Sequence, residues 1–347
     1  MGAIKTAKAV NSNNGSSRTA DYKIATIGSH SALQILYGAK QEGFKTIAIC
    51  EKGREQPYKS YKVADEIIRV NKFSETLKLQ QQLLKENAIL IPHGTFFEAF
   101  DMGEFEKLKV PYFGNKGILK WEADRMLQRE WLKRAGLILP KIYKKPEDID
   151  GPVIIKFYGA RGGKGFFLAR NAEEFYRKIK QREARAYIIQ EYIIGAPIYI
   201  HYFYSPLTNE LEVMSFDKRY ESNVDSIGRI AAKDQLDLGL ETSYNITGNV
   251  PVVVRESLLP EIFRMGEAVV KASKTLNGDS KGIYGPFSLE TVITPELKFF
   301  VFEVSARIVA GTNLYTEGSP YTILRYGEPM STGRRIAREI KNAIQQG

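Results

Sequence analysis

The chain has 347 residues, of which 43% are hydrophobic and 26% charged, a composition typical of a globular protein with two or three cores. It has no apolar run of the roughly 18–20 residues needed to cross a bilayer and no secretory segment, so we expect a cytoplasmic protein without a membrane partner. Its one cysteine, Cys50, excludes an internal disulfide. The net charge of +10 is spread along the chain among acidic residues, which favours small phosphorylated anions over a nucleic acid.

Predicted strands and helices alternate in the first third of the chain. Residues 1–21 have no periodicity and are predicted to be a disordered tail. Beyond them, apolar runs predict strands at 23–29, 44–50, 88–92 and 110–114, and amphipathic patterns predict helices at 31–42 and 74–85. This alternation predicts an open parallel α/β domain of the Rossmann-like type at residues 22–118.

The remaining chain reads as two further regions of an α/β (α+β) protein. The first, residues 119–192, is predicted to be a nucleotide-binding lid region with a helix at 121–136, a hairpin at 152–167, a helix at 172–182 and a strand at 186–192. The second is a C-terminal domain at residues 193–347. It has mostly short strands up to residue 254, a helix at 260–276, an acidic hairpin and a closing helix at 333–345.

A cationic glycine loop follows a strand that carries a lysine. Lys156 lies within VIIKF, and a lysine on a central strand is costly to bury unless it meets an anion. The loop contains Arg161, Gly162, Gly163 and Lys164, and its glycines let the backbone approach phosphate oxygens closely. A mobile turn is the alternative for such a loop, but the preceding lysine favours a triphosphate site.

Two glutamates occupy the acidic hairpin. If its turn centres on residues 296–297, Glu290 and Glu303 face each other, and like charges in that arrangement are destabilising. A divalent cation that binds both carboxylates together with phosphate oxygens would turn this destabilising interaction into a stabilising one, so we predict a metal site here. Arg307 lies four residues beyond Glu303 and could reach a transferred phosphoryl group, with a surface salt bridge as the alternative.

A second candidate site lies where the first strand turns into the first helix. Gly28-Ser29-His30-Ser31 lacks the spacing of a dinucleotide fingerprint, so it does not predict NAD binding. The serines could cap the helix, or His30 could contact a ligand. Thr95, in Pro92-His93-Gly94-Thr95 at the end of the third predicted strand, lies at the same edge of the sheet. We therefore predict a shared small-molecule site at this edge.

These residues, in this order, resemble the ATP-grasp enzymes. The segment EVSAR at residues 303–307 is similar to their E-x-N-x-R motif, with Ser305 in place of the asparagine. The segment IIQEYIIG at residues 188–195 resembles their adenine hinge, which implies that Glu191 and the backbone through Ile193 contact ATP. The acidic residue usual for the ribose is replaced here by Ile198, and the resemblance implies that Glu221 acts instead.

The chain from residue 22 onward is similar to one family in particular, the archaeal formate-dependent AICAR ligases of purine biosynthesis. Long segments carry this resemblance, among them IPHGTFFEAF, VPYFGNKGILKWEADR, DKRYESNVDSIGRIAAKDQL and GSPYTILRYGEPMSTGRRIAREI. It implies an ATP-grasp fold, a homo-oligomer, and conversion of AICAR (5-aminoimidazole-4-carboxamide ribonucleotide) to its formylated product FAICAR with ATP, formate and Mg²⁺ or Mn²⁺. It also implies that AICAR contacts His30, Ser31, Thr95 and Asn249.

The sequence thus predicts a two-step ligase. In the first step ATP, held by Lys156, the glycine loop with Lys164, and a metal on Glu290 and Glu303, would react with formate to give formyl phosphate. In the second step the AICAR amine, held near His30, would attack the formyl phosphate. Arg307, Lys164 and His30 are the expected catalytic residues. A related ligase for another acid and amine, or a non-catalytic nucleotide- or RNA-binding protein, are the alternatives.

Overall fold

The computed structural model describes residues 18–157, 166–180, 186–221, 227–238, 245–278 and 280–346. The strands in these ranges are β1 (Lys23–Ile27), β2 (Lys45–Glu51), β3 (Glu66–Val70), β4 (Ala88–Leu90), β5 (Ile142–Tyr143), β6 (Val153–Phe157), β7 (Phe166–Ala169), β8 (Tyr187–Glu191), β9 (Ala196–Ser205), β10 (Glu210–Glu221), β11 (Ile246–Pro251), β12 (Gly285–Ile293) and β13 (Phe299–Ser305).

The α-helices of the described residues are α1 (Ala32–Gln41), α2 (Gln56–Ser60), α3 (Gln80–Lys85), α4 (Thr95–Ala99), α5 (Met102–Glu106), α6 (Lys116–Ala123), α7 (Arg125–Arg134), α8 (Ala172–Ile179), α9 (Ala232–Asp237), α10 (Leu259–Ser273), α11 (Pro320–Tyr326) and α12 (Thr332–Gln346). Short 3₁₀ helices occur at Arg18–Asp21, Phe73–Leu79, Pro146–Asp148, Glu256–Leu258 and Ala310–Tyr315. None of the helices in the described ranges has both the length and the apolar content needed to cross a bilayer.

The first sheet is parallel, with the order β3-β2-β1-β4. Its two central strands are almost entirely buried, because helices and loops cover both faces. The parallel α/β arrangement expected for this part of the chain is therefore confirmed. Strand β3 escaped sequence analysis, because EIIRV is short, has charged residues and is mostly half-buried.

Two antiparallel sheets follow. The larger has the order β11-β10-β9-β12-β13, and its long β9–β10 hairpin replaces the short strands expected from the sequence. The smaller has the order β5-β8-β6-β7 and contains the strand of Lys156. The mixed α/β fold class predicted from the sequence is thus observed.

Three local predictions were wrong. The single helix expected at 121–136 is two helices, α6 and α7, because the Asp124 carboxylate accepts hydrogen bonds from the backbone N–H groups of Met126 and Leu127 and so caps a new helix. The expected strand at 110–114 makes one isolated bridge, from Tyr112 to Leu90, before the chain turns at Gly114. The expected helix at 74–85 begins as a 3₁₀ helix.

Helices α1 and α12 approach so closely that only glycine fits between them. A Cβ atom on Gly38 would lie 2.1 Å from the backbone nitrogen of Arg334, and one on Gly333 would lie 2.2 Å from the carbonyl oxygen of Gln34. Both obstacles are backbone atoms, so no side-chain rotation can relieve the contact. The close approach lets α12 cover the helix that follows the His30 loop.

Replacement of Gly38 by alanine is therefore expected to destabilise the protein. Alanine favours a helix interior over glycine by about 1 kcal/mol, but overpacking costs typically 1–3 kcal/mol, and here the obstacle is backbone, so we expect a net loss of about 1–2 kcal/mol. Urea unfolding monitored by circular dichroism would measure it. Gly151→Ala is the control, since no atom lies within 4 Å of its added Cβ. An unchanged midpoint for Gly38→Ala would contradict the close-packing argument.

Candidate active site

A cavity of about 420 Å³ opens between the small antiparallel sheet and the edge of the large one. Its walls combine apolar side chains with charged groups of both signs, as expected for a pocket that holds a base at one end and phosphates at the other. Residues that line it include Glu122, Arg125, Leu139, Ile142, Ile154, Lys156, Phe157, Ile188, Gln190, Arg219, Glu290, Phe302 and Glu303.

Lys156 reaches this cavity from β6. Its Nζ lies 3.5 Å from Oε1 of Gln190 and 5.6 Å from the centre of the Phe302 ring. Burial lowers the pKa of Lys156, while Glu303 acts in the opposite direction. Among the described residues no carboxylate lies within 4.0 Å of this ammonium group. A buried ammonium group in a cavity is stabilised by an anion, so Lys156 could bind an anionic ligand there.

Glu290 and Glu303 lie directly opposite each other on β12 and β13, as predicted. The expected turn at 296–297 does not set this register: Ile293 pairs with Phe299 next to the turn, and a bulge between Glu290 and Thr291 brings the two glutamates opposite each other. Glu290 is 5% exposed, and its Oε2 is buried without a hydrogen-bond partner among the described residues. Its Oε1 accepts a hydrogen bond from Arg219, whose guanidinium carbon lies 4.3 Å from the centre of the Tyr199 ring. Burial raises the pKa of Glu290 to about 7; Arg219 opposes this rise and Glu303 adds to it.

This pair fits a divalent cation. A buried carboxylate oxygen without a partner, beside a second carboxylate, is an arrangement that a cation would stabilise. No group of three or more His, Cys, Asp or Glu side chains able to hold a metal occurs within the described ranges. The remaining ligands would therefore come from water or from a bound phosphate, as is usual for magnesium.

Metal affinity should rise with pH around neutrality. Below the pKa of about 7, Glu290 holds a proton that a cation must displace. Titration through this pKa should therefore make binding of Mn²⁺ in the presence of ADP about tenfold tighter at pH 8 than at pH 6. Water-proton relaxation would measure the affinity, and Glu290→Gln is the control that should bind weakly with little pH dependence. Equal affinity of the unaltered protein at both pH values would contradict the assignment.

Arg307 lies four residues beyond Glu303, one of the two paired glutamates. Its Nε is 3.0 Å from Oε1 of Glu122, and the two side chains are only 14% and 7% exposed, so the surface salt bridge considered above is wrong. Arg307 Nε makes no hydrogen bond among the described residues, so its contact with Glu122 is an ion pair. The guanidinium carbon also lies 5.7 Å from the centre of the Phe97 ring.

The second predicted site forms at the carboxyl edge of the parallel sheet. The rings of His30 and His93 stack with centres 5.4 Å apart, and the Thr95 hydroxyl donates to Ser29 Oγ at 3.2 Å. Ser31 Oγ lies 2.8 Å from His30 Nδ1. The two serines therefore do not cap α1 with their side chains, and the capping alternative is wrong.

Both imidazoles are held neutral. Burial and Arg307 lower the pKa of His93 to about 3 although the Ile27 carbonyl opposes this. Partial desolvation by the surrounding protein, His93 and Arg307 also lower the pKa of His30, which remains exposed to solvent on one side. His30 also has a φ of 52°, a left-handed conformation uncommon for a non-glycine residue. A neutral, strained histidine at a sheet edge is suited to hydrogen bonding with a ligand.

The two sites meet at Arg307. Its neighbour Ile308 forms a parallel bridge with His93, which joins the end of β13 to the His30 edge. The Asn313 side chain also donates to the His30 carbonyl at 3.0 Å. Sequence analysis placed Arg307 and His30 in separate motifs, and the fold brings them together.

Asn249 is tied into a buried polar chain. Its Nδ2 donates to Oδ2 of Asp217 at 2.6 Å, and Oδ1 of Asp217 lies 2.7 Å from Nε2 of His201. A Cβ on Gly311 would lie 2.2 Å from Oδ1 of the same aspartate. The 3₁₀ helix that contains both Gly311 and Asn313 thus connects the Asn249 region to the His30 edge.

The remaining residues predicted to bind ATP either lie outside the described ranges or do not line the cavity. Arg161, Gly162, Gly163 and Lys164 lie outside the described residues. The Glu191 carboxylate accepts a hydrogen bond from the backbone of Lys141 and does not line the cavity, whereas Ile188 and Gln190 on the same strand do. Neither Ile193 nor Glu221 lines it. These assignments remain predictions from resemblance.

Sequence reasoning missed three residues of the site: Glu122, Tyr199 and Arg219. Arg219 lies in a strand two residues after Asp217, and this alternation could have indicated a shared face. Glu122 gave no signal, because a glutamate in an amphipathic helix is ordinarily solvent-exposed.

Comparison with known proteins extends these observations. Two family models match, one described as a protein of unknown function at residues 24–143 and one as a domain of unknown function at residues 169–347. The 5-formaminoimidazole-4-carboxamide-1-β-D-ribofuranosyl 5'-monophosphate synthetase of Pyrococcus horikoshii is 54% identical over 333 residues, 94% of this chain and 97% of that protein.

Two solved structures are also similar. The IMP biosynthesis protein PurP from Thermococcus kodakaraensis matches with a TM-score of 0.72 and 30% identity, over 93% of this chain and 97% of that one. The ADP complex of PurK, an N5-carboxyaminoimidazole ribonucleotide synthetase, matches with a TM-score of 0.68 and 15% identity, over 93% and 78%. The fold is that of the ATP-grasp proteins, as expected.

Proposed function

This chain belongs to the family of the 5-formaminoimidazole-4-carboxamide ribonucleotide synthetases, and from that membership we propose how its site works. The protein is an ATP-dependent ligase that formylates AICAR to FAICAR in IMP biosynthesis. One observation carries the residue assignments: Glu122, which lines the charged cavity, contacts Arg307, and the next residue, Ile308, bridges to His93 at the His30 edge. A reaction between a nucleotide and a second substrate needs such a junction.

ATP occupies the 420 Å³ cavity in this proposal. Its base lies among the apolar side chains of the small sheet, including Ile154 and Ile188, and its phosphates extend towards Lys156. The buried ammonium group of Lys156 then gains the anion that the described residues do not supply. Glu290 and Glu303 would hold Mg²⁺ or Mn²⁺, which neutralises charge on the phosphate oxygens when bound.

In this proposal AICAR lies at the edge that bears His30, Ser31 and Thr95, and Asn249 approaches it through Asp217 and the 3₁₀ helix at Ala310–Tyr315. His30 is neutral, so one ring nitrogen donates and the other accepts, and Ser31 Oγ already occupies Nδ1. Nε2 is then the atom free to contact the substrate. This arrangement orients the substrate amine without placing another cation beside Arg307.

Formate is the one-carbon donor in this scheme. A formate oxygen attacks the γ-phosphorus of ATP, ADP leaves, and the product is formyl phosphate. Arg307 and Lys156 stabilise the charge on the transferred group. The AICAR amine nitrogen then attacks the formyl carbon, phosphate departs with the original formate oxygen, and the amine loses a proton. Exclusion of water protects the acyl phosphate between the two steps.

The proposal also includes a homo-oligomer, as the resemblance implies, and a cytoplasmic location, as the sequence predicts. Neither affects the chemistry derived above.

Phosphate release from ATP and magnesium, with formate and AICAR added singly and together, tests the proposal. We expect release only with both substrates, together with incorporation of ¹³C-formate into the product. With ¹⁸O-formate, one labelled oxygen should appear in the released phosphate. Turnover without formate would refute this donor, and unlabelled phosphate would refute formyl phosphate.

A further inference from the structure

Among the described residues, no strand pairs with the outer edge of β13, and groups from the preceding region bond to its backbone. The N–H of Val301 donates to the carbonyl of Ile138 at 2.8 Å, and the N–H of Ala306 donates to Oε2 of Glu122 at 2.7 Å. A free sheet edge usually meets solvent or another strand. Here the side chain of Glu122, at the end of α6, bonds to this edge instead of a strand. It does so at Ala306, which lies between Glu303 and Arg307.

Glu122 is held in a fixed position. Helix α6 is capped at its start by Asn115, whose Nδ2 also donates to the Gly282 carbonyl at 2.9 Å. Its neighbour Trp121 donates from Nε1 to Oδ1 of Asn277 at 3.1 Å. Glu122 itself is 8% exposed, and what remains accessible faces the nucleotide cavity. Its carboxylate is therefore a rigid acceptor.

The second oxygen of this carboxylate faces Arg307. Oε1 lies 3.0 Å from the Nε of Arg307, and within the described ranges no other carboxylate lies within 4.0 Å of that guanidinium. The charge of Arg307 also acts to lower the pKa of Glu290. Without Glu122, the arginine would be drawn towards the metal pair, where its charge would compete with the cation.

We propose that Glu122 is a positioning residue, which keeps Arg307 at the junction between the nucleotide cavity and the His30 edge and away from the metal site. This inference rests on the proposed function. Burial raises the pKa of Glu122 to about 7 although Arg307 opposes the rise, so the carboxylate ionises fully only above neutrality. Oε2 keeps Ala306 in place while Oε1 holds the guanidinium.

The test is Glu122→Gln, which keeps an acceptor for Ala306 but removes the charge that faces Arg307. Because misplacement of a catalytic group by about 1 Å can cost about 100-fold, we expect kcat to fall about 100-fold. KM for AICAR should stay within about threefold, because no contact of Glu122 in the described ranges involves His30, Ser31 or Thr95. Asp124→Ala is the matched control: it loses the cap of α7 at the same junction without contacting Arg307.

A double-mutant cycle makes the test decisive. If Glu122 acts only through Arg307, adding Glu122→Gln to Arg307→Met should lower kcat no further. The inference is overturned if kcat of Glu122→Gln stays within about threefold of the parent. It is also overturned if Asp124→Ala loses as much activity, or if the two substitutions are additive. Product formation by the unaltered enzyme tests the proposed function separately.

Discussion

Replacement of Glu303 by glutamine should abolish formylation and leave the protein folded. The substitution keeps the size of the side chain but removes one of the two carboxylates that face each other across β12 and β13. In the variant, the protein supplies one negatively charged ligand to the metal instead of two. Because the metal then stabilises the transition state less well, we expect kcat to fall at least about 10³-fold.

The free energy of unfolding of Glu303→Gln should not fall with its activity. Like charges directly opposite on neighbouring strands destabilise by about 0.2–1 kcal/mol, so Glu303→Gln should be as stable as the metal-free parent or slightly more stable. Glu303 also adds to the raised pKa of Glu290, and that pKa should fall in the variant. Urea unfolding in EDTA would record the stability, and product formation would record the activity.

Glu296→Gln provides the control for this experiment. Glu296 lies in the exposed turn of the same hairpin and does not line the cavity. It should retain the parental rate and metal dependence. Turnover by Glu303→Gln close to the parental rate would remove Glu303 from the metal site and, with it, the proposed position of the phosphates.

Replacement of Arg307 by methionine should lower kcat about 10³-fold, the lower end of the range for arginines that stabilise a transferred phosphoryl group. Methionine keeps apolar contact with Phe97 but removes the charge at the junction of the two sites. Arg307 does not line the nucleotide cavity, so Kd for ATP should change by less than about threefold. Calorimetric titration of ATP and steady-state kinetics would separate these effects.

The same substitution should destabilise the protein, because it leaves the buried Glu122 carboxylate without its ion-pair partner. Removal of one partner of a buried pair costs roughly 3–5 kcal/mol, although the raised pKa of Glu122 allows it to take up a proton and reduce that loss. The double variant with Glu122→Gln should regain stability but no activity. A double variant that regained activity, or Arg307→Met with parental kcat, would contradict the catalytic assignment.

Local patterns in the sequence were sufficient for several features. The apolar strand at residues 23–27 and the amphipathic helix after it were predictable from periodicity, which depends on neighbouring residues alone. The pairing of Glu290 with Glu303 was also predicted, although a bulge beside Glu290, which the sequence did not reveal, is needed to produce it. The resemblance to ATP-grasp enzymes rested on the same local motifs.

The break in the predicted helix at 121–136 was harder to see. An aspartate inside an amphipathic pattern is compatible with a continuous helix. Asp124 instead caps α7, and that choice places Glu122 at the end of α6. The cap contributes about 1 kcal/mol to this break, and the packing of both helices adds to it, which the local pattern does not show.

The sequence by itself determined several of the elements, the fold class and the two charged motifs, since each of these depends largely on short-range patterns. Only the tertiary structure decided which motifs share a site. Glu122 meets Ala306 across 184 positions of the chain, and His93 bridges Ile308 between two different sheets. Such contacts leave no local pattern, because they arise from the packing of whole sheets and helices rather than from the preferences of neighbouring residues.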